Sequence, residues 1–207
     1  LSQLYHDHRR KIQAGYAKFE TFSVWSLPLK HPVNDAYEAA TADLQDVNLV
    51  DPFHLDTYGD VAINYNRDVE AFPLVKRILE KITGAESPYA SPTDMGVNRV
   101  GFGIVNDDVI RHAAKQEVIR RYFRYRCEYA MGLAEEKTVE KIELLMNNLN
   151  LTRYDRPVVE KAEQRASGTG GDVKAAAIQL KNGTILTGKS SELMHASSAA
   201  VLNAVKE

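Results

Sequence analysis

The stretch "AAAIQLKNGTILTGK", residues 175–189, places Asn182 and Gly183 between two apolar runs. Asn-Gly in that position is the strongest short-range signal for a β-hairpin, because both residues tolerate positive φ. We predict that Ser190 or Ser191 caps a final helix, "ELMHASSAAVLNAVK", whose small residues can pack closely on a sheet. A hairpin by itself is not stable in water, so we expect this unit to add to strands from the first half of the chain.

The first half of the chain alternates short strand patterns with helical ones. "VNLV" (47–50) and "VAINY" (61–65) are typical of short strands, and "VNRVGFGIV" (97–105) is predicted to be a third. Apolar spacing predicts helices over residues 1–19, from Pro32 onward, and from about Pro73 to Gly84. The expected fold class is therefore α/β with a mixed sheet.

A long helical stretch follows the predicted strands. Asn106 or Asp107 is expected to cap a helix that runs to about Met131, and two shorter helices follow it. The boundaries that we predict are 1–106 for the first part of the α/β domain, 107–166 for a small all-helical insert, and 167–207 for the hairpin and helix that complete the α/β domain.

Composition excludes several classes of function. The chain has 207 residues, a net charge of -2 and a sequence pI near 6.3, so nothing in its charge favours nucleic acid as a partner. No apolar run approaches the roughly twenty residues of a membrane helix. The single cysteine, Cys127, permits no intrachain disulfide, which is typical of a cytoplasmic protein.

Common catalytic and cofactor motifs are missing from the sequence. There is no HExxH, no paired-cysteine zinc motif, no P-loop, no dinucleotide-binding glycine pattern and no GxSxG elbow. We therefore predict no metal site in this chain, and the residues point to no particular cofactor.

One polar stretch, "LVDPFHLDTYGDVAINYNRDVEAFP" (49–73), lies around the two predicted strands. Ligands of α/β sheets bind beyond the carboxyl ends of strands, and the loops at Lys30-His31 and at "PTDMGVN" could converge there. We predict that His54 carries a proton, that Asp51 orients it, and that Arg67 binds an anionic group. The residues predicted to line this cleft are Lys30, His31, Asp51, His54, Asn66, Arg67, Asp94 and Asn98.

Each of these residues also has a purely structural interpretation. Asp, Asn and His before or after apolar runs often form turns and helix caps for local reasons. Two hypotheses of function stay open. In the first, the chain is part of an enzyme that acts on a small anionic or nucleotide-like ligand without zinc. In the second, it is a non-catalytic binding or homo-oligomer assembly module, in which residues 107–166 make subunit contacts.

The terminal hairpin and helix resemble the core of cytidine deaminases, where a hairpin and a "TG" lead into an Ala-rich helix. In that fold the helix begins with His or Cys, followed by Ala and Glu. The His or Cys binds zinc, and the Glu moves protons. Here the corresponding residues are His195, Ala196 and Ser197. The resemblance therefore implies a deaminase-like unit without its zinc chemistry.

Several longer stretches carry a more specific resemblance: "AGYAKFETFSVWSLPLKHPVNDAYEAATADLQDVN", "DPFHLDTYG", "NYNRDVEAFP" and "SPTDMGVN", together with "KIELLMNN" and "DRPVV". They resemble the bacterial family called domain of unknown function 1846, also termed uncharacterised protein family 0371. The resemblance implies that the chain is the C-terminal portion of a longer cytosolic protein, with an N-terminal half as its partner. It also implies a Gly-rich, Lys-containing loop just before this chain, and it implies no particular activity.

Overall fold

The computed structural model describes residues 1–17, 24–96, 100–167 and 173–207. It is about 60% helical and contains two small antiparallel sheets. The chain separates into two compact units, Leu1–Asn150 and Leu151–Glu207. The predicted boundaries at residues 106 and 166 differ from this division.

The described residues of the first unit form seven α-helices and one two-stranded sheet. Its elements in chain order are α1 (Ser2–Arg9), α2 (Pro32–Ala40), β1 (Asn48–Val50), α3 (Pro52–Tyr58), β2 (Ile63–Tyr65), α4 (Asn66–Thr83), α5 (Pro92–Met95), α6 (Asp107–Ala130) and α7 (Glu136–Asn148).

The two predicted strands form, but as an antiparallel pair. Asn48 lies opposite Tyr65, and Val50 lies opposite Ile63. Asn66 extends the pairing by one step, since its backbone N–H donates to the Val47 carbonyl at 3.0 Å and its side chain accepts from the Val47 N–H at 2.9 Å. The carboxyl ends of β1 and β2 therefore lie at opposite ends of this sheet.

A short helix, α3, connects the two strands where the sequence suggested only a polar turn. Asp51 is its N-cap and Pro52 its first residue, an arrangement that pre-sets the backbone for a helix. Gly59 ends it in the left-handed region at φ 72°. The polar stretch after β1 is consequently helical, and this orients His54.

The helix predicted over residues 1–19 ends at Arg9, and Lys11 follows with φ 62°. Beyond this point the chain has no helix up to residue 17, and Tyr16 reaches the core in an irregular segment. The Tyr16 backbone N–H donates to Tyr89 Oη at 3.1 Å, and Tyr89 Oη donates back to the Tyr16 carbonyl. Of the apolar residues that predicted a longer helix, Leu4 is buried and Tyr16 is partly buried, whereas Ile12 is 52% exposed.

The helix predicted from about Pro73 begins earlier, at Asn66, and ends as predicted at Gly84 with φ 68°. Pro73 lies inside α4, where its missing N–H removes one helical hydrogen bond. Phe72 and Leu79 of this helix are buried with Leu4 and Met95 in one apolar cluster. This packing holds α4 together across the proline.

The strand predicted over residues 97–105 is wrong where the structure describes it. Val100–Gly103 form a 3-10 turn, and residues 97–99 lie outside the described residues. Gly101 lies close to the residues after Val24, and a Cβ at this position would lie 2.3 Å from Ser26 Oγ, so the Ser26 side chain would have to move. The small residues of this stretch therefore serve the close approach of two loops.

The predicted cap of the long helix is confirmed. Asn106 caps α6 by accepting from the Val109 N–H at 3.2 Å. Both α6 and α7 pack on α2 and on each other, and Val118, Ile119 and Ile142 are fully buried. These helices therefore belong to the first compact unit, because their apolar faces pack against an earlier helix of that unit.

The second unit contains the predicted hairpin. Its elements are α8 (Pro157–Ser167), β3 (Ala175–Gln179), β4 (Ile185–Lys189) and α9 (Ala196–Lys206). The turn at Asn182-Gly183 is confirmed, with Gly183 at φ 88°. Both α8 and α9 pack on the hairpin, which removes the need for further strands that we inferred from the sequence.

The last helix starts later than predicted. Ser191 forms a local turn instead of a helix cap, since its Oγ accepts from the Leu193 and Met194 N–H groups, both at 3.3 Å. His195 occupies the N-cap position and Ala196 begins α9.

Each helix of the described part of the chain is too short or too polar to cross a membrane.

Candidate functional site

His54, in the middle of α3, is the best-positioned titratable group of the predicted set. Its Nδ1 lies 3.1 Å from Ser91 Oγ and 3.7 Å from Asp94 Oδ1, and its side chain is only 14% exposed. An ionised carboxylate accepts hydrogen bonds and cannot donate one. The position of Asp94 therefore favours the tautomer of His54 that carries its proton on Nδ1. Nε2, which makes no hydrogen bond to any described residue, is then left with its lone pair.

Ser91 and Asp94 are themselves held by a capping box at the start of α5. Ser91 Oγ accepts from the Asp94 N–H at 3.1 Å, and Asp94 Oδ2 accepts from the Ser91 N–H at 3.0 Å. Asp94 Oδ2 also accepts from the Ala90 N–H at 2.8 Å and from Tyr58 Oη at 3.0 Å. This bond to Asp94 raises the pKa of Tyr58. The imidazole of His54 is therefore fixed by a pre-ordered turn.

Asp51 has a structural role that differs from the predicted one. Its Oδ1 accepts from the backbone N–H groups of Phe53 and His54 at 3.0 and 3.1 Å. Its Oδ2 accepts from Thr93, from the hydroxyl at 2.6 Å and from the N–H at 3.2 Å. Both oxygens of this fully buried carboxylate are thus occupied, and Asp51 orients the backbone of α3 while Ser91 and Asp94 meet the imidazole.

The Ser91, His54 and Asp94 side chains do not form a hydrolase triad. In such triads the serine and the acid meet different nitrogens of the imidazole. Here both face Nδ1, and Ser91 is fully buried. The arrangement instead suits a histidine that takes or gives a proton through Nε2.

Aromatic side chains surround His54. The ring centroid of Tyr58 lies 4.7 Å from the imidazole, and that of Trp25 lies 6.4 Å from it. Phe102 meets Trp25 edge-on at 6.2 Å and is 66% exposed. Exposed aromatic rings beside a polar group form a surface on which a planar heterocycle can stack.

Arg67 binds a buried acid of the protein itself. Its Nη2 donates to Asp46 Oδ2 at 2.8 Å and its Nε donates to Asp46 Oδ1. Asp46 is fully buried and also accepts from Tyr37 Oη at 2.9 Å, while Lys141 Nζ donates to its carbonyl. Burial would raise the pKa of Asp46, but the bonds from Arg67 and Tyr37 outweigh it and hold that pKa below its usual value.

The remaining predicted residues occupy other places. His31 is the buried N-cap of α2, where Nδ1 accepts from the Val33 N–H at 3.2 Å and Nε2 donates to Asp107 Oδ1 at 2.9 Å. Asn66 pairs with Val47, and Lys30 lies on a separate cleft. Asn98 lies outside the described residues.

The structure thus brings Asp51, His54 and Asp94 together and places Arg67 and Asn66 in a different environment. The antiparallel pairing explains this separation. Residues that follow β1 and residues that follow β2 leave the sheet at its opposite ends. Ser91 was missed in the sequence, although Ser-x-x-Asp before a helix is a capping signal.

Metal ligands do not gather at this site. Over residues 1–17, 24–96, 100–167 and 173–207, no three His, Cys, Asp or Glu side chains are placed to share an ion.

Two sequence models of one family match the chain. "Domain of unknown function DUF1846, N-terminal" matches residues 1–150, and "Domain of unknown function DUF1846, C-terminal" matches residues 154–207. The chain belongs to this family. The two matches divide the chain close to the point where its two compact units meet in sequence.

Curated relatives carry the name UPF0371 protein. A protein from Streptococcus thermophilus (strain ATCC BAA-491 / LMD-9) is 58% identical over 206 residues, which cover 100% of this chain and 41% of that protein. One from Clostridium botulinum (strain Langeland / NCTC 10281 / Type F) is 56% identical over 212 residues, which cover 100% of this chain and 42% of that protein. The chain spans about two-fifths of the length of these relatives.

Proposed function

We propose that this chain is the C-terminal part of a cytosolic enzyme that binds a small nucleotide-like molecule beside His54 and moves a proton through His54 Nε2. The observation that carries the proposal is the fixed imidazole, held through Nδ1 by Ser91 and Asp94 and flanked by Trp25 and Tyr58. A histidine with one nitrogen fixed and the other available is the usual form of a general base.

The aromatic residues favour a heterocyclic ligand. A planar base that stacks on Tyr58 or Phe102, which are 51% and 66% exposed, would bring its edge toward the imidazole. Stacking of one base on an aromatic side chain contributes about 1 to 3 kcal/mol. The proposed chemistry is proton transfer to or from that ligand, without zinc.

The anionic part of such a ligand needs a partner other than Arg67. Arg67 donates to Asp46 through both Nε and Nη2, so the sequence-based assignment of Arg67 to a ligand anion gains no support. Because the chain spans about two-fifths of its relatives, we propose that the remaining part of the protein supplies the anion-binding groups.

A single-tryptophan experiment tests the proposal directly. Trp25 is the only tryptophan of the chain, so its fluorescence reports on the surroundings of His54 alone. Titration with the nucleosides adenosine, guanosine, cytidine and uridine, which have no anionic group, should quench this fluorescence in a saturable way for at least one of them. His54→Gln should weaken that binding, whereas His112→Gln, at an exposed position on α6, should not. Unsaturated, identical responses to all four nucleosides would contradict the proposal.

A second candidate function is assembly of a homo-oligomer. Several apolar side chains near the start of α6 are exposed, including Val105 at 99% and Val109 at 61%. Such exposure is typical of surfaces that another protein covers. Light scattering at micromolar concentration should then show a dimer or larger species that Val105→Asp with Val109→Asp converts to monomer. A monomeric parent protein would contradict the assembly function.

A further inference from the structure

A second cleft in the first unit lies between α2, β1 and α7. Its volume is about 320 Å³, and its wall combines charged and apolar side chains. Asp35 and Glu38 come from α2, Lys30 from the loop before it, and Leu145, Asn148 and Leu149 from the end of α7. The cleft involves none of the groups that surround His54.

The two carboxylates lie on one face of α2. Residues three apart on a helix are neighbours, and Asp35 and Glu38 are both partly buried. Glu38 Oε1 accepts from the Asn48 N–H at 2.8 Å. The side-chain carboxylate of Asp35 makes no hydrogen bond or ion pair with any residue that the structure describes, although it lies in the wall of this cleft.

Burial and the negative charge of Glu38 together raise the pKa of Asp35 to about 6, against the opposing effect of the positive charge of Lys30. Burial likewise raises the pKa of Glu38, against the hydrogen bond from Asn48 and the charge of Lys141. Carboxylates with raised pKa in a cleft indicate negative charge that the surrounding protein compensates incompletely.

We propose that this cleft binds a small aliphatic molecule through an ammonium group. The ammonium would donate hydrogen bonds to Asp35 and Glu38, and the alkyl part would pack on Leu145 and Leu149. The side-chain amide of Asn148, which pairs with no described residue, can accept a further hydrogen bond from the ligand.

The wall favours an organic cation over a metal ion. Calcium takes six to eight oxygen ligands, and two carboxylates do not satisfy it. Within the described ranges no group of three acidic or histidine side chains could hold a metal. An ammonium needs fewer acceptors, and three leucine side chains, Leu29, Leu145 and Leu149, provide surface only for a ligand with a hydrocarbon part.

Titration with two matched compounds tests this site. The probes are 1-aminopentane, which is an ammonium ion at neutral pH, and pentanoate, which has the same length and the opposite charge. Amide resonances of α2 and of the end of α7 should shift and saturate with the amine and should not with pentanoate. Equal responses to both compounds would overturn the proposal.

Three variants sharpen the test. Asp35→Asn should weaken the amine about tenfold or more, since it removes one charged hydrogen bond. Lys30→Gln should strengthen it, because a like charge is removed. Glu140→Gln changes an exposed acid of α7 and should alter affinity less than about twofold. An Asp35→Asn protein that keeps its native spectrum and binds the amine unchanged would also overturn the proposal.

This site and the proposed function fail independently. The amine titration measures the amide resonances of residues near Asp35. The nucleoside titration measures the fluorescence of Trp25 beside His54. A negative result in one experiment leaves the other unaffected.

Discussion

Arg67 and Asp46 form a two-bond ion pair in which the acid is fully buried while the side chain of Arg67 is 51% exposed. The guanidinium therefore covers a carboxylate that would otherwise be charged in the interior. The hydrogen bond to Asp46 raises the pKa of Arg67, and the hydrogen bonds from Arg67 and Tyr37 hold the pKa of Asp46 below its usual value. The sequence-based prediction assigned Arg67 to a ligand anion because its planar guanidinium can donate two hydrogen bonds, but Nε and Nη2 donate to Asp46 instead.

Replacing Arg67 with alanine should destabilise the fold. We expect Arg67→Ala to lower the free energy of unfolding by about 3 kcal/mol, because it leaves a buried carboxylate without its cation. Urea unfolding followed by circular dichroism would measure this. The paired change Arg67→Ala with Asp46→Asn should restore part of the loss, since the uncompensated charge is then absent.

Arg77→Ala is the matched control for that prediction. Arg77 lies on the same helix, and its exposed side chain makes no hydrogen bond or ion pair with a described residue, so its loss should change stability by less than about 0.5 kcal/mol. If Arg67→Ala were as stable as Arg77→Ala, the ion pair would not support the fold and a role in ligand binding would again be favoured.

Asp51 should matter for stability through both of its oxygens. Asp51→Ala removes the cap of α3 and the bonds to Thr93, so we expect a loss of about 2 to 3 kcal/mol in the free energy of unfolding. Asp56→Ala, at an exposed position of the same helix, should cost less than about 0.5 kcal/mol. Equal effects of the two variants in thermal unfolding would contradict the structural role.

Local signals in the sequence predicted local structure well. The Asn182-Gly183 turn, the Asn106 cap and the end of α4 at Gly84 all depend on the backbone preferences of one or two residues. Each of them occurs where the pattern predicted it. The start of α9 was predicted too early because Ser191 can satisfy nearby N–H groups in a turn as readily as in a helix cap.

The candidate site depended on features that no local pattern carries. Arg67 pairs with an acid twenty-one residues earlier in the chain, and His54 meets a serine thirty-seven residues later. Whether β1 and β2 run parallel or antiparallel decides which polar residues lie at the same end of the sheet. The choice of His54 as proton carrier stays a prediction, now with Ser91 and Asp94 as the groups that orient it.

The raised pKa of Asp35 predicts a specific pH dependence of stability. Its ordinary value is 3.8 and its value in the folded protein is about 6, so between these values the folded state binds more protons than the unfolded state. Stability contributed by this group is therefore fully present below about pH 4 and is lost as the pH rises through 6. Glu38, Lys30 and the rest of the cleft are unchanged in Asp35→Asn, which should flatten this decrease.

Chemical unfolding at a series of pH values would measure that effect. The stability difference between Asp35→Asn and the parent protein should grow in favour of the variant from pH 4 to pH 7. A difference that is constant over this range would show that Asp35 titrates normally in the folded protein.

Gly188 should be harder to replace than Gly183, the other glycine that the structure describes in the second unit. It lies in β4 where α9 packs on the hairpin, and a Cβ added there would lie 2.2 Å from Ala200 N and 2.5 Å from the Ala196 carbonyl oxygen. Both atoms belong to the backbone, so relief requires that helix and strand separate. We expect Gly188→Ala to lower the free energy of unfolding by about 3 kcal/mol and to speed hydrogen exchange of the amides in residues 175–189.

Gly103→Ala is the control, because a Cβ there would meet no atom within 4 Å and its φ is not positive. Unchanged exchange in the hairpin of Gly188→Ala would mean that α9 does not pack on β4 as closely as these distances require.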